Sequence, residues 1–286
     1  MLLTFEHVTH TYQPDSPFQA TAIRDVSLTI QSNEFVALIG HTGSGKSTLA
    51  QHMNGLLRPT EGRVLLDGQD IHAKGVDRRS VRQKIGLVFQ YPEQQLFEET
   101  VAKDVAFGPK NLGLSATEID ARVHEALERV QLSYDQMAEK SPFELSGGQM
   151  RRVAIAGVLA MRPEMLVLDE PAAGLDPMAR DELLTLIEQL HQNGTTIVMI
   201  SHSMDDVARV AKRILVMDHG MLAMQGTPDE IFSKAETLLQ MGLDVPQVCT
   251  LSLQLQKAGF SFPTVYRQED ALAALEKLLK EGMRHA

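Results

Sequence analysis

The chain has 286 residues, 43% of them hydrophobic, which is enough for one large domain with an appendage or for two small domains. Its formal net charge of −10 and its pI near 5.5 argue against broad nucleic-acid binding, which requires a basic face. A single cysteine excludes an internal disulfide, and no apolar run approaches the ~20 residues that span a bilayer.

The chain begins with two predicted strands, residues 2–8 and 26–31. In the second, apolar and polar residues alternate, which is typical of a strand that is buried on one face. A loop is predicted between Tyr12 and Ala22, because this stretch contains two prolines together with an aspartate and a serine.

A glycine-rich segment, residues 40–48, reads G-H-T-G-S-G-K-S-T between an apolar strand and a helix-like stretch. This order directs successive backbone N–H groups and a helix N-terminus at a phosphate. Lys46 can reach the β- and γ-phosphates, and the Ser47 hydroxyl can bind Mg²⁺. The segment predicts a nucleotide site formed by Gly40, His41, Thr42, Gly43, Ser44, Gly45, Lys46, Ser47 and Thr48.

The remainder alternates strands and helices, except for one long helical block. Helical periodicity dominates from Val101 to about Met161, and a further helix is predicted over Pro177–Asn193. Thr227 begins a capping box, after which mostly helical segments follow. The predicted strands in this part of the chain are 62–68 with its turn, 84–90, 165–170, 196–200 and 214–217.

Four polar residues stand at the ends of predicted strands and fit ATP hydrolysis. Asp169 can hold Mg²⁺ or its water shell, and Glu170 can act as a base for the attacking water. His202 could contact the γ-phosphate, and Gln90 could ligate Mg²⁺. Taken singly, an exposed glutamate at a strand end or an uncommitted loop histidine would be the ordinary interpretation.

A second glycine-rich turn, L-S-G-G-Q at residues 145–149, precedes an apolar helix and forms a second candidate anion site. One chain does not need two phosphate cradles for one nucleotide. A dimer does, if each chain completes the site of its partner.

The order of the phosphate loop, Gln90, L-S-G-G-Q, L-V-L-D-E-P, A-G-L-D and His202 resembles the ATP-binding cassette (ABC) ATPases over about residues 2–230. The resemblance implies an α/β P-loop NTPase with a RecA-like mixed sheet core, an antiparallel β subdomain and a helical signature subdomain at about 91–161. It places the ATPase domain at 1–226 and a small C-terminal helical dimerisation subdomain at 227–286.

The resemblance also implies roles for single residues, with ATP and Mg²⁺ as cofactors. Tyr12 matches the adenine-stacking position, although from the residues alone an ordinary packed tyrosine is the better interpretation. Ser146 and Gly148, within the turn that includes Gly147 and Gln149, would contact ATP held by the opposite subunit, and Asp176 would lie in a coupling loop. The implied catalytic residues are Glu170, His202, Lys46 and Gln90, and the implied Mg²⁺ ligands are Ser47, Gln90 and Asp169.

The stretch Val88–Pro109 is similar to the ATPases of energy-coupling factor (ECF) importers, which take up vitamins and related micronutrients. Tyr91–Glu93 and Gln95–Glu98 resemble the second of their two ATPase types, and M-G-L-D-V-P at 241–246 strengthens the match. This implies a heterodimer with a homologous ATPase, a membrane scaffold docked near Gln90–Asp104, and substrate-binding membrane subunits. It also implies a peripheral location on the cytoplasmic face of the cell membrane, with no nucleic-acid partner.

The segment after Gln90 is acidic, and we expect it to form the docking groove with Leu96 and Phe97. The alternative is a solvated acidic face. The carboxylates concerned are Glu93, Glu98, Glu99 and Asp104.

Other interpretations stay open at this point. The region after Thr227 could hold two ATPases together or cap the core of its own chain. The chain could instead serve a dedicated cobalt or nickel importer as a homodimer, an ordinary importer with a separate binding subunit, or a soluble nucleotide-dependent regulator.

Overall fold

The computed structural model describes residues 2–282 and contains two β-sheets flanked by helices. The strands are β1 (Leu2–Tyr12), β2 (Ala20–Gln31), β3 (Phe35–Gly40), β4 (Glu61–Leu66), β5 (Gln69–Asp70), β6 (Ile85–Val88), β7 (Met165–Asp169), β8 (Thr196–Ile200), β9 (Arg213–Asp218) and β10 (Met221–Gly226). Short 3₁₀ turns occur at Pro92–Gln95 and Pro142–Glu144.

The helices follow the same chain order. They are α1 (Lys46–Met53), α2 (Arg78–Lys84), α3 (Val101–Asn111), α4 (Ala116–Arg129), α5 (Tyr134–Met137), α6 (Gly147–Leu159), α7 (Pro177–Gln192), α8 (Met204–Val210), α9 (Pro228–Phe232), α10 (Ala235–Gln240), α11 (Gln247–Lys257) and α12 (Gln268–Gly282). Within residues 2–282, none of these helices combines the length and the apolar character needed to cross a membrane.

The larger sheet has six strands in the order β10-β9-β3-β8-β7-β6, all parallel except β10. Every residue of β3, β7 and β8 is buried, as expected for parallel strands covered on both faces. Because the strands are parallel, the carboxyl ends of β3, β6, β7 and β8 meet at one edge of the sheet. The candidate site lies at this edge.

The smaller sheet is antiparallel, with the order β2-β1-β4-β5. Its first two strands are longer than predicted, so that the connecting loop shrinks to residues 13–19. The prediction of strands at 2–8 and 26–31 was too short because the register shifts between Phe5 and Val8 and again at His10. His7 and Asp25 have positive φ there, which interrupts the alternation that marks a strand.

The sequence did not predict the short strand β5, helices α2 and α8, or the edge strand β10. Helix α2 ends at Lys84, the first residue of the predicted strand 84–90, and the observed strand β6 is limited to Ile85–Val88. The edge strand β10 carries partly exposed residues along its whole length, so it lacks the apolar signal of the buried strands. The helical block from Val101 to Met161 is confirmed, and its buried residues form one apolar cluster with α7 and β7.

The first helices of the C-terminal region pack against the core of their own chain. Ile231, Phe232 and Leu238 belong to the same apolar cluster as Ile39 and Val207. Helix α12, in contrast, exposes Leu272 and Leu279. The domain boundary at residue 226 and a dimerisation role stay predictions, and residues 283–286 of that subdomain lie outside the described residues.

Three histidines, His10, His52 and His72, lie near one another, and His52 belongs to α1. The ring of His52 is fully buried, and its Nδ1 donates to the carbonyl of Thr48 at 2.7 Å. Its Nε2 is buried without a hydrogen-bond partner, and its ring meets that of His10 edge to face at 4.7 Å. Burial lowers the pKa of His52 to about 4, and His10 and His72 act in the same direction.

Replacing His52 by glutamine should remove a pH dependence of stability. A histidine with an ordinary pKa of 6.5 when unfolded and about 4 when folded favours the unfolded state as it protonates. Its contribution is therefore full above pH 6.5 and is lost as the pH falls towards 4. Urea unfolding across this range should show the free-energy difference between native and H52Q proteins changing by about 3 kcal/mol.

The control for this experiment is H7Q. His7 is exposed and pairs only with an exposed aspartate, Asp25, at 2.7 Å. Its unfolding curve should follow that of the native chain, and parallel pH curves for the native chain and H52Q would contradict the assignment.

Candidate functional site

The phosphate loop lies between β3 and α1, held close to two neighbouring strands. Gly45 has a φ of +97°, and a Cβ there would lie 2.5 Å from the carbonyl oxygen of Ala22. A Cβ at Gly40 would collide with the carbonyl oxygen of Met217 on β9. These two positions require glycine because the loop backbone runs against β2 and β9.

Lys46 begins α1 and lies across the loop. Its Nζ donates to the carbonyl oxygens of Gly40 at 2.7 Å and His41 at 3.0 Å. Burial lowers the pKa of Lys46, and the nearby carboxylates of Glu170 and Asp169 counteract this effect. The ammonium group is therefore fixed at the mouth of the loop and partly desolvated, which suits binding of an anionic phosphate.

Asp169 and Glu170 follow β7 and have different environments. Asp169 accepts a hydrogen bond from the Ser47 hydroxyl, while burial raises its pKa. Glu170 has a positive φ of 51°, and its carboxylate lies 2.8 Å from Nδ1 of His202. Its side chain is 13% exposed, whereas that of His202 is 73% exposed. A non-glycine residue with positive φ at a strand end is a feature that clusters at functional sites.

The structure brings most of the predicted residues into one cavity of about 950 Å³. Those that line it are Gly40, His41, Thr42, Gly43, Gly45, Lys46, Ser47, Thr48, Gln90, Asp169, Glu170 and His202. Ser44 is instead buried within the loop. Tyr12 lies beside α1, where its hydroxyl is 3.2 Å from the Thr48 hydroxyl and its ring meets His10 edge-on.

The cavity also contains residues that the sequence did not indicate as site residues. Gly242, Leu243 and Asp244, which follow α10, form part of its wall. The M-G-L-D-V-P segment that includes them entered the sequence analysis only as a family likeness. The signal was present, but its position beside the phosphate loop depends on how α9 and α10 fold back onto the core.

The L-S-G-G-Q turn lies in a different cavity, of about 570 Å³, which shares no lining residue with the first. Ser146 caps α6 by accepting from the backbone N–H of Gln149, and Oε1 of Gln149 accepts from the backbone N–H of Ser146, so the two side chains hold the turn itself. Asp176 lines the same cavity and caps α7 by accepting from Met178 and Ala179. The two glycine-rich segments for which the sequence predicts anion binding thus line separate cavities of one chain.

A family model for ABC transporters matches residues 23–173. The chain belongs to the ABC transporter ATPases. Curated relatives named energy-coupling factor transporter ATP-binding protein EcfA2 include one from Clostridium tetani, 53% identical over 97% of each chain. Another, from Symbiobacterium thermophilum, is 55% identical over 98% of this chain and 97% of its own. These relatives place the chain in the ECF type of the family, second ATPase subunit, as the sequence resemblance predicted.

Solved ABC ATPases have the same architecture. The structure of cbiO1 from Clostridium perfringens, described as part of the ABC transporter complex cbiONQ, gives a TM-score of 0.74 with 36% identity and covers 90% of this chain and 96% of its own. A dimeric ATP-binding cassette in a post-hydrolysis state with ADP and Pi gives 0.68 with 29% identity, covering 79% and 98%. The predicted fold class is confirmed, and ATP hydrolysis coupled to transport is the activity of this family.

The segment after Gln90 contributes to a groove of about 570 Å³ between α2, α3 and α6 of this ABC ATPase. Phe97 and Phe107 line it with their rings edge to face at 5.0 Å, and they are 59% and 46% exposed. Arg79 and Arg82 line the groove from α2. An exposed aromatic pair in a concave surface indicates an interaction site.

The expectation that four carboxylates line this groove was wrong for three of them. Glu93 turns inward to Arg151, Glu99 pairs with Lys103 at 2.6 Å, and Glu98 is not among the lining residues. Asp104 does line the groove, but it is buried and accepts from the backbone N–H groups of Phe97 and Glu98. Asp104 accepts from backbone N–H groups that would otherwise lack an acceptor, and Glu93 accepts from the buried guanidinium of Arg151. Both carboxylates therefore bond within the chain.

Arg151 on α6 joins three parts of the structure. Its guanidinium, only 2% exposed, donates to both carboxylate oxygens of Glu93 at 3.0 and 2.8 Å. It also donates to the carbonyl oxygens of Pro171 and Ala173, at 2.8 and 2.7 Å. Helix α6 is thereby connected to the segment after Gln90 and to the loop after Glu170.

Replacing Glu93 by glutamine should destabilise the protein by about 3–5 kcal/mol, because it leaves a buried guanidinium without its counter-charge. The matched control is E99Q, which removes only the exposed pair with Lys103 and should leave the stability nearly unchanged. Urea unfolding of both variants measures the difference. Equal effects would show that the Glu93–Arg151 pair has no special role.

Proposed function

We propose that this ATPase powers the uptake of vitamins or related micronutrients, as one of two homologous ATPases beneath a membrane scaffold. The proposal rests chiefly on one observation, the two anion-binding half-sites that face different cavities of the same chain. A site divided in this way becomes complete only when two ATPases face each other. The relatives at about half identity over nearly the whole chain bear the name of the ECF ATPase subunit.

In this proposal the phosphate loop binds ATP, with Lys46 on the terminal phosphates. Ser47, Asp169 and Gln90 offer hydroxyl, carboxylate and amide oxygens, the ligand types that Mg²⁺ prefers. Bound there, Mg²⁺ would neutralise phosphate charge. Tyr12 would lie beside the adenine.

Glu170 is proposed as the base that orients and deprotonates the attacking water. Its contact with His202 at 2.8 Å holds the carboxylate in one orientation, so the exposed imidazole is free to sense the γ-phosphate with its other nitrogen. Burial favours a fixed position for Glu170 over a mobile one.

The second half-site would act on the ATP held by the other ATPase. In this arrangement, Ser146, Gly147 and Gly148 at the N-terminus of α6 contact its γ-phosphate, near Gln149 and Asp176. A related ATP-binding cassette is described as a dimer in a post-hydrolysis state with ADP and Pi. ATP binding would close the two chains and hydrolysis would reopen them.

The groove that contains Phe97 and Phe107 is the proposed docking site for a scaffold helix. Its exposed rings favour an apolar partner face, and Arg79 and Arg82 favour acidic or carbonyl groups beside it. In this proposal the chain is a peripheral subunit on the cytoplasmic face of the membrane. The groove adjoins the segment after Gln90, and Gln90 itself lines the nucleotide cavity. The proposed docking site therefore lies next to the site at which ATP would close the dimer.

A second candidate is an ATPase of a dedicated cobalt or nickel importer that works as a homodimer. The observation in its favour is the similarity to cbiO1, described as part of the complex cbiONQ.

Pull-down of the tagged chain from solubilised membranes tests the proposal. We expect an integral scaffold, a distinct homologous ATPase and several small membrane proteins. F97E should lose the membrane proteins while it still binds ATP, because a charge replaces an apolar ring at the docking site. The control F18E, at an exposed phenylalanine in the loop between β1 and β2, should keep them.

Other catches would favour other functions. Copies of this chain alone with one membrane complex would favour the metal importer. A catch without any membrane protein would contradict the transport role.

A further inference from the structure

Two histidines and an aspartate form a cluster beside the phosphate loop. His41 is the second residue of the loop, and Asp218 and His219 lie at the end of β9. The ligand atoms of these three side chains all lie within 4.8 Å of one another. Among residues 2–282, no other group of histidines, cysteines and carboxylates meets this criterion.

The hydrogen bonds of His41 determine which ring nitrogen can act as a ligand. Its Nδ1 is 2.8 Å from the carbonyl oxygen of Thr42, which can only accept, so Nδ1 carries the proton. The backbone N–H of His219 donates to Nε2 at 3.5 Å, which agrees with an unprotonated Nε2. A histidine whose other nitrogen donates to a backbone carbonyl has the arrangement found in metal-binding histidines.

The Nε2 of His41 also faces a carboxylate. Its Nε2 lies 3.2 Å from Oδ1 of Asp218, and both side chains are about three-quarters buried. With Nδ1 protonated, the two groups attract each other at this distance only through a cation, which is either a second proton on the imidazole or a metal ion between them. Ligand atoms in a tetrahedral zinc site are about 3.3 Å apart, given metal–ligand bonds of about 2.0–2.2 Å. The observed separation fits that geometry.

The backbone fixes the other two ligands. Asp218 pairs with Met221 across a tight hairpin in which His219 and Gly220 both have positive φ. The carbonyl of Gly220 accepts from the backbone N–H of Arg24, which ties the turn to β2. The Nε2 of His219 is 3.8 Å from Oδ1 of Asp218, and its side chain is 79% exposed, so it can rotate to complete the set.

We propose that His41, Asp218 and His219 form a binding site for a divalent transition-metal ion such as Zn²⁺ or Co²⁺, with water in the remaining position. Two imidazoles and one carboxylate select such ions over Mg²⁺, which prefers oxygen ligands. The site is distinct from the Ser47, Gln90 and Asp169 group. A metal ion bound there would hold the phosphate loop against the β9–β10 turn. One of its ligands, His41, is also the residue whose carbonyl oxygen accepts from Lys46.

Metal titration of the full chain tests this site. The chain, stripped with chelator and freed of any affinity tag, is titrated with Co²⁺ in excess Mg²⁺ and followed by visible absorption, and Zn²⁺ is then added as competitor. We expect one Co²⁺ per chain, an intense tetrahedral spectrum, and displacement by Zn²⁺.

Variants localise the binding. H41Q and H219N should each weaken Co²⁺ binding by at least about tenfold. Asparagine tolerates the positive φ at position 219, so H219N leaves the turn intact. The matched control is H7Q, because His7 and Asp25 form a surface pair at 2.7 Å that belongs to no three-ligand group among residues 2–282. H7Q should bind as the native chain does.

Three results would overturn the proposal. These are the absence of saturable binding to the native chain, unchanged affinity in both H41Q and H219N, and a loss in H7Q as large as theirs.

Discussion

The buried guanidinium of Arg151 is the interaction on which the arrangement of the two half-sites depends. A cation that is nearly excluded from water is tolerated only when its donors are matched, and here four hydrogen bonds to Glu93, Pro171 and Ala173 do so. These partners belong to the segment after β6 and the loop after β7. Helix α6, which begins at the L-S-G-G-Q turn, therefore cannot rotate without disturbing the segments that leave the nucleotide cavity.

The parallel sheet provides the second constraint. The strands β3, β6, β7 and β8 end at the same edge of the sheet. This alone brings together the phosphate loop, the Gln90 amide, the carboxylates of Asp169 and Glu170, and the His202 imidazole. The L-S-G-G-Q turn lies at the start of α6, in the helical block, and lines a separate cavity. In the proposed function these two cavities are halves of different ATP sites, and Arg151 connects the elements that carry them.

Much of this site could be predicted from sequence, because the residues that form it are local motifs attached to strand ends. Lys46, Asp169 and Glu170 needed only the strand pattern to be placed together. The Glu93–Arg151 pair joins residues 58 positions apart, so no periodicity indicates it. Asp104 was assigned to the surface from its charge, whereas two backbone N–H groups hold it inside. The wall formed by Gly242 to Asp244 likewise depends on tertiary packing.

In the proposed function, ATP bound by one ATPase is contacted by the L-S-G-G-Q turn of another. The most direct measurement uses ATP with a photoreactive group on its γ-phosphate and a K46A variant of this chain, which cannot hold the nucleotide itself. We expect labelling of the peptide that contains Ser146 to Gly148 only when a second ATPase with an intact phosphate loop is present. Labelling without the second ATPase, or none in its presence, would show that the ATP site is not shared between two chains.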